Sequence, residues 1–384
     1  MSARTVPTHP SVPHVVVIGA GIVGTSLGYA LLRRGARVTV IDRDGTASST
    51  TGTSFAWIGN PGFFRNGEGI SAHLAPRYFW LHRMGMLAWR QLTADIGTRL
   101  GIRWNGTVQF SQRGSSAAER LRQDLDRRQR WGSTSFRISP AQIRALVPGI
   151  AVGADIDAFT SLDEGHVDPA ACCAALMEEI RALGGNVIRG SEATGLDITG
   201  ARVTAVQTTR GAIACDHVVY AVGANSPKLL GDLGISVPLE PPSQGVLVHL
   251  RPMKPLLSPV LITADLHILQ RPDGRVVMAR HYSGTSATDG EGADANLLLA
   301  RAGELLPELA GGSVERVTAG ERVVPIDGLP VIGHSEQVTN VHSVTTNSGI
   351  VLGPVLGGLM ATEILTGVTC EQLDPYRAAR FGDA

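Results

Sequence analysis

Three glycines, Gly19, Gly21 and Gly24, follow directly on the apolar run HVVVI (14–18). Glycines at this spacing, after a strand and at the opening of a helix, have a defined use. The first makes a tight turn, the second lets backbone approach a diphosphate, and the third lets helix and strand pack closely. The helix start adds unpaired N–H groups and the positive end of its dipole. Asp42 closes the next apolar run, RVTVID (37–42), where an acid accepts hydrogen bonds from ribose hydroxyls. The pattern points to a bound dinucleotide.

The elements that must hold these residues are legible nearby. Residues 14–18 read as a buried strand, too apolar to alternate. Residues 22–34 carry a helical pattern with Leu27, Ala30 and Leu31 on one side, ended by Gly35. With 37–42 they form a βαβ unit of about 30 residues. A nicotinamide-binding chain would continue in regular βα repeats. Here a long small-residue loop, RDGTASSTTGTSFAWIGNPGFF, intervenes, and a dinucleotide-like strand returns only at HVVYAVGANS (217–226). Loops this long are usually functional. The interruption favours a flavin extended into a second region.

Further along, residues 75–100 read as a helix with Tyr78, Leu81, Leu92 and Ile96 facing the core. The arginine-rich stretch ERLRQDLDRRQRW (119–131) reads as a solvated helix face. In EGHVDPAACCAALMEEIRALGG (164–185), Asp168 caps a helix and Pro169 takes its first position. Asp163, Glu164 and His166 then belong to a polar turn, and no metal is expected. Strands alternate with turns over 186–223 and again over 244–282, where RPDGR makes a hairpin turn. VHSVTTN reads as a late strand. The apolar segment 349–365 is short, glycine-rich and carries Glu363, so it reads as a buried helix, not a membrane span.

Composition bounds the partners. The chain has 384 residues, room for about two or three domains. Its 34 basic and 34 acidic residues balance, so nothing drives it toward nucleic acid or an anionic membrane. Cys172, Cys173, Cys215 and Cys370 form no CxxC pair and suit a reducing, cytoplasmic setting. The proline-bearing start reads as a flexible lead-in, with residues 1–11 forming a tail.

At this point the chain resembles the D-amino-acid oxidase, glycine oxidase and sarcosine oxidase (DAO) family of FAD enzymes. The matching pieces are VVVIGAGIVGTSLGYALLRRGARVTVID, SSTTGTSFAWIG, EGHVDPAACCAAL, EATGLDITGARVTAVQTTRGAIACDHVVYAVGANS, and AGERVVPIDGLPVIG with NVHSVTTNSGIVLGPVLGGLMATEIL. The resemblance implies an α/β protein. A discontinuous Rossmann-like FAD-binding domain is expected from 12–62, 155–228 and 318–384, and a mixed-sheet substrate domain with helices from 63–154 and 229–317.

The resemblance also implies site residues. Gly19, Gly21, Ile22, Val23 and Gly24, with Asp42 and Arg43, fall at the diphosphate and ribose. Thr50, Thr51, Ser54, Phe55, Ala56 and Trp57 line the ribityl and flavin region. Ala193 meets adenine, and Ala221 to Gly223 form the second cofactor turn. Asn347, Ser348, Gly349, Ile350 and Val351 meet the pyrimidine edge of the flavin, where a helix N-terminus stabilises developing negative charge. Arg322 stands where relatives grip a substrate carboxylate, the alternative being a surface pair with Glu321 or Asp327. His281 and Tyr282 end a strand facing the flavin, and their alternation lets one of them point inward. No role is carried over to Lys254.

Departures from the family matter. HYSGTSATDG (281–290) has no cysteine, so FAD is expected to be noncovalent. Val351 stands where sarcosine oxidases carry a lysine, and Asn347 where glycine oxidases carry an arginine, so neither substrate transfers directly. The expected activity is oxidation of a C–N bond in an amine or amino acid, with hydride passing to flavin N5 and the imine hydrolysing. Oxygen or another electron acceptor completes the cycle. The alternatives are a dehydrogenase serving a quinone or protein acceptor, a nicotinamide-dependent dehydrogenase, and a non-catalytic FAD-holding subunit of a larger complex. Self-association is left open.

Overall fold

The computed structural model describes residues 12–45, 47, 49–60, 64–65, 68–69, 71, 73–280 and 291–382. His281, Tyr282, the 1–11 tail and the cysteine-free stretch 281–290 lie outside them.

A six-stranded sheet centres on His14–Ile18. Its order is Asn186–Arg189, Arg37–Asp42, His14–Ile18, His217–Tyr220, Val341–Thr345 and Val331–His334. The first five run parallel and the last antiparallel. The central strand is apolar on both faces because both are covered. Val15 and Val17 pack with the helices Ile22–Leu32, Pro169–Ala182 and Gly349–Thr366. Val16 and Ile18 pack with Val203 and Val206 of a three-stranded antiparallel sheet, 193–214.

The Pro169–Ala182 helix starts as read. The Asp168 carboxylate accepts from the Ala170 and Ala171 N–H groups at 3.0 and 3.1 Å. The Gly349–Thr366 helix meets the length and apolarity of a membrane span, but 61% of it is buried inside the fold. Its glycines explain the fit. A Cβ at Gly353 would lie 3.3 Å from the Ile22 carbonyl oxygen, and one at Gly357 only 2.8 Å from the Leu27 nitrogen. Pro354 has no N–H for the Ile350 carbonyl one turn earlier. That carbonyl instead accepts from Trp89 Nε1 at 2.8 Å, which ties in the helix Ala75–Ile96.

A second, eight-stranded sheet has the order Val314–Glu321, Gln244–Leu250, Val276–Arg280, Leu266–Gln270, Val260–Ile262, Thr107–Gln112, Ile156–Ser161 and Phe136–Arg137. It is mixed: Thr107–Gln112 runs parallel to Val260–Ile262 and the other pairs are antiparallel. Alternate residues divide its faces. Val248, Leu261, Ile268 and Met278 join Ala295 and Leu298 of the helix Glu291–Leu305. Leu247, Val260, Ile262, Leu269, Val277 and Ala279 turn the other way, onto Phe55 and Trp57.

Two expectations need correction. The resemblance places Ile156–Ser161 in a cofactor segment, but it pairs with Thr107–Gln112 and Phe136–Arg137 in the second sheet. Its partners are distant in sequence, so local pattern could not assign it. The arginine-rich helix, Ser116–Arg130, is not solvated all round: Arg128 is 1% exposed. Its guanidinium reaches Asp124 Oδ2 at 2.8 Å and Glu164 Oε1 at 2.9 Å, partners that make its burial tolerable.

Candidate active site

The glycine turn closes on the neighbouring strand ends. Gly19 has φ +108°, and a Cβ there would fall 2.4 Å from the Ala221 carbonyl oxygen. A Cβ on Gly24 would fall 1.9 Å from the Gly19 carbonyl oxygen. A Cβ at Gly21 would meet Thr51 Oγ1 at 3.1 Å. Each glycine is therefore fixed by close neighbours. Asp42 braces the turn: Oδ2 accepts from the Ala20 N–H at 2.7 Å, and Oδ1 accepts from the Asp44 and Gly45 N–H groups at 2.9 and 2.7 Å. Much of its acceptor capacity is thus engaged by backbone, a role the sequence reading did not give it.

A cleft opens over this turn. It brings together Gly19, Gly21, Asp42, Arg43, Thr50, Thr51, Ala193, Ala221 and Gly223. Arg43 is exposed and pairs with Asp44 at 2.9 Å. Ser191 lines the same cleft, and its buried hydroxyl has no hydrogen-bond partner among the described residues. A glycine cradle that no side chain could enter, a bracing acid and an unpaired buried hydroxyl fit a diphosphate-linked dinucleotide.

The loop that follows runs from this cleft to the second sheet. The Thr51 hydroxyl accepts from the Ile22 N–H at 3.2 Å, at the helix start. The Thr50 hydroxyl donates to the Glu321 carbonyl at 2.9 Å. Thr53 lies against Gly320, where a Cβ would come within 1.8 Å of its hydroxyl. Ala56 adopts φ +63°, a left-handed conformation uncommon outside glycine. The Ser54 hydroxyl accepts from its N–H at 3.1 Å, and its carbonyl accepts from Val167 N–H at 3.0 Å. Phe55 and Trp57 are thereby delivered onto the apolar face of the eight-stranded sheet.

The late segment closes the other side. Asn347 is exposed, Ser348 and Gly349 are half-buried, and Ile350 and Val351 are buried. Ser348 Oγ is 3.0 Å from Tyr78 Oη. Gly349 sits beside Val23 and Ile22, so two helix starts adjoin. Arg322 continues from the strand Val314–Glu321. Its side chain lies along Gly245, where a Cβ would be 3.2 Å from the arginine Nε. Asp327, one of its possible surface partners, is taken by Arg380 at 2.7 Å.

The sequence reading missed His267. It is half-buried on the face that carries Leu269, and its ring centroid is 5.5 Å from that of Phe55. The signal was available: in LHILQ (266–270), alternation sets His267 and Leu269 on one side. Glu164 and His166 were assigned to a polar turn, yet both are 0% exposed. Burial, with the charges of Arg271 and Arg103, pushes His166 down to about 4. Asp163 pairs with Arg83.

Fold and cleft together define a flavin-dependent oxidoreductase. A family model described as FAD dependent oxidoreductase (DAO) matches residues 14–363, and the chain belongs to that family, with FAD as its cofactor. It is 28% identical to a glycine oxidase from Pseudomonas putida, over 92% of this chain and 94% of the relative. It is 24% identical to an opine oxidase subunit from Rhizobium meliloti, over 96% of this chain and 97% of the relative. The crystal structure of glycine oxidase from Geobacillus kaustophilus superposes with a TM-score of 0.83 at 22% identity, covering 96% of this chain and 99% of that one.

Proposed function

We propose that this enzyme oxidises the C–N bond of an amine or amino acid that carries a carboxylate. The observation that carries the reading is Arg322, laid along Gly245 next to the strand end that Thr50 and Thr53 lock to the flavin loop. A guanidinium there grips a carboxylate with two parallel hydrogen bonds and fixes the α-carbon. We read His267, on a strand two places from that of Gly245, and Phe55, its ring 5.5 Å away, as the wall of the same site. The names of the relatives, a glycine oxidase and an opine oxidase, agree with an amino acid or a substituted one.

The glycine turn holds the diphosphate noncovalently, with Asp42 and Ala193 toward the adenosine half. Thr51, Ser54, Ala56 and Trp57 face the flavin half, and the start of the Gly349 helix offers N–H groups to its electron-rich edge. The chemistry supplied by bound FAD is two-electron acceptance: a hydride leaves the α-carbon, the nitrogen loses a proton, and water hydrolyses the resulting imine to a carbonyl product. The apolar strand face beneath Phe55 and Trp57 excludes water from the transfer.

The test is an anaerobic screen of D- and L-amino acids, N-substituted amino acids and simple amines, following loss of the yellow absorbance. Bleaching by carboxylate-bearing amines and not by their decarboxylated analogues is expected. Indifference to the carboxylate removes the reading. A second reading, electron delivery to a protein partner or a quinone, is favoured by the similarity to a relative that is itself one subunit of an opine oxidase. Peroxide formation under air distinguishes the two.

A further inference from the structure

Behind the flavin loop lie buried polar groups that the proposed chemistry does not use. Trp57 Nε1 donates to Thr107 Oγ1 at 3.0 Å, and Thr107 is 0% exposed. Thr107 is held in its strand: it pairs with Val260 and Ser161 in the eight-stranded sheet, and its backbone carbonyl accepts from Thr160 Oγ1 at 2.9 Å. Glu164 Oε1 accepts from the Asn60 N–H and side-chain amide at 3.1 and 2.9 Å, and from Arg128 at 2.9 Å. Arg128 in turn donates to Asp124 at 2.8 Å. Thr107 thus meets the indole itself, while the buried ion pair of the helix Ser116–Arg130 holds the same loop three residues on, at Asn60.

The indole is constrained from a second side. A Cβ at Gly59 would lie 2.3 Å from Trp57 Cε2, so the ring lies directly over that glycine. The ring is half-buried among apolar side chains of the eight-stranded sheet. There an indole N–H without an acceptor is disfavoured, so the position of one hydroxyl selects the ring orientation.

We propose that Thr107 is a positioning residue: held in its buried strand, it fixes the Trp57 indole as one wall of the flavin site and so sets the environment of the flavin ring. This rests on the reading that places Trp57 in the flavin region. A hydroxyl suits the task because its oxygen accepts from the indole N–H within a buried, otherwise apolar face. Valine has the same shape and cannot accept.

The test compares purified holoenzymes carrying Trp57→Phe, Thr107→Val, Thr107→Ser and the Trp57→Phe/Thr107→Val pair. The readouts are the position and shape of the visible flavin bands and the flavin midpoint potential. Thr107→Val is expected to shift both as Trp57→Phe does, the double variant to add nothing, and Thr107→Ser to keep the native values. A native spectrum and potential in Thr107→Val, additivity in the double variant, or equal changes in Thr107→Ser would each overturn the proposal. Native values in Trp57→Phe itself would overturn both the proposal and the placement of Trp57, which separates the two failures. Should Thr107→Val not yield folded flavoprotein, Thr107→Ala carries the same comparison.

Discussion

Gly349 abuts Val23: a Cβ carried at Gly349 would lie 3.4 Å from the valine Cγ2. The contact brings the start of the last helix to the start of the first. It depends on the glycines further along that helix. An exposed helical glycine replaced by alanine gains about 1 kcal/mol. Gly357→Ala is expected to do the reverse, because its Cβ would press on the Leu27 nitrogen at 2.8 Å, which is backbone and cannot rotate away. A loss of about 1–3 kcal/mol is expected in denaturant unfolding, with reduced flavin per chain.

The cradle makes a sharper comparison. Gly24→Ala would place a methyl 1.9 Å from the Gly19 carbonyl oxygen, whereas Gly195 has nothing within 4 Å of its built Cβ. Gly24→Ala is expected to purify with little or no FAD, and Gly195→Ala with native content. Absorbance of the released flavin checks both. Native FAD in Gly24→Ala would remove the diphosphate role of the turn.

Arg322→Ala should raise KM for carboxylate substrates and lower kcat/KM by about 10–100-fold, the value of one charge-assisted contact of about 1.5–3 kcal/mol. An amine without a carboxylate should be affected far less. Arg322→Lys should restore only part of the loss, since an ammonium cannot make the paired contact. Steady-state kinetics with matched substrates decides it.

Three buried histidines predict a pH profile for stability. Burial, with Arg128 nearby, pushes His82 down to about 3, and burial with Arg271 and Arg103 pushes His166 to about 4. Burial, with Arg316 and Arg271, pushes His249 to about 4. The unfolded value is about 6.5, so below that pH the unfolded chain takes up protons that the folded chain does not. Their contribution is complete above about pH 6.5 and is lost as pH falls toward 4, at up to about 1.4 kcal/mol per histidine per pH unit. Urea unfolding at pH 7.5, 6.5 and 5.5 should show the fall. His249→Gln, which can still bond Thr318, should lessen it.

How much was legible in advance follows from the range of each interaction. The glycine turn, the Asp168 cap and the RPDGR hairpin each close within a few residues, so residue type and spacing reveal them. Arg128 shows the opposite case. Its helix is rich in charge, and nothing local marks the one guanidinium that is buried, because its second carboxylate, Glu164, lies 36 residues away. His267 was within reach of simple alternation and was overlooked in favour of His281 and Tyr282.

The sequence by itself determined the βαβ unit, the need for bare backbone at Gly19, Gly21 and Gly24, and an apolar last helix. Hydrophobic period, capping and turn chemistry are local and survive in one dimension. Only the tertiary structure decided that Ile156–Ser161 joins the second sheet, that Thr107 stands behind Trp57, and that Arg128 and Glu164 meet in the buried interior. Those outcomes depend on which distant segments share a face, and burial reverses the cost of a charge once its partner arrives from elsewhere in the chain.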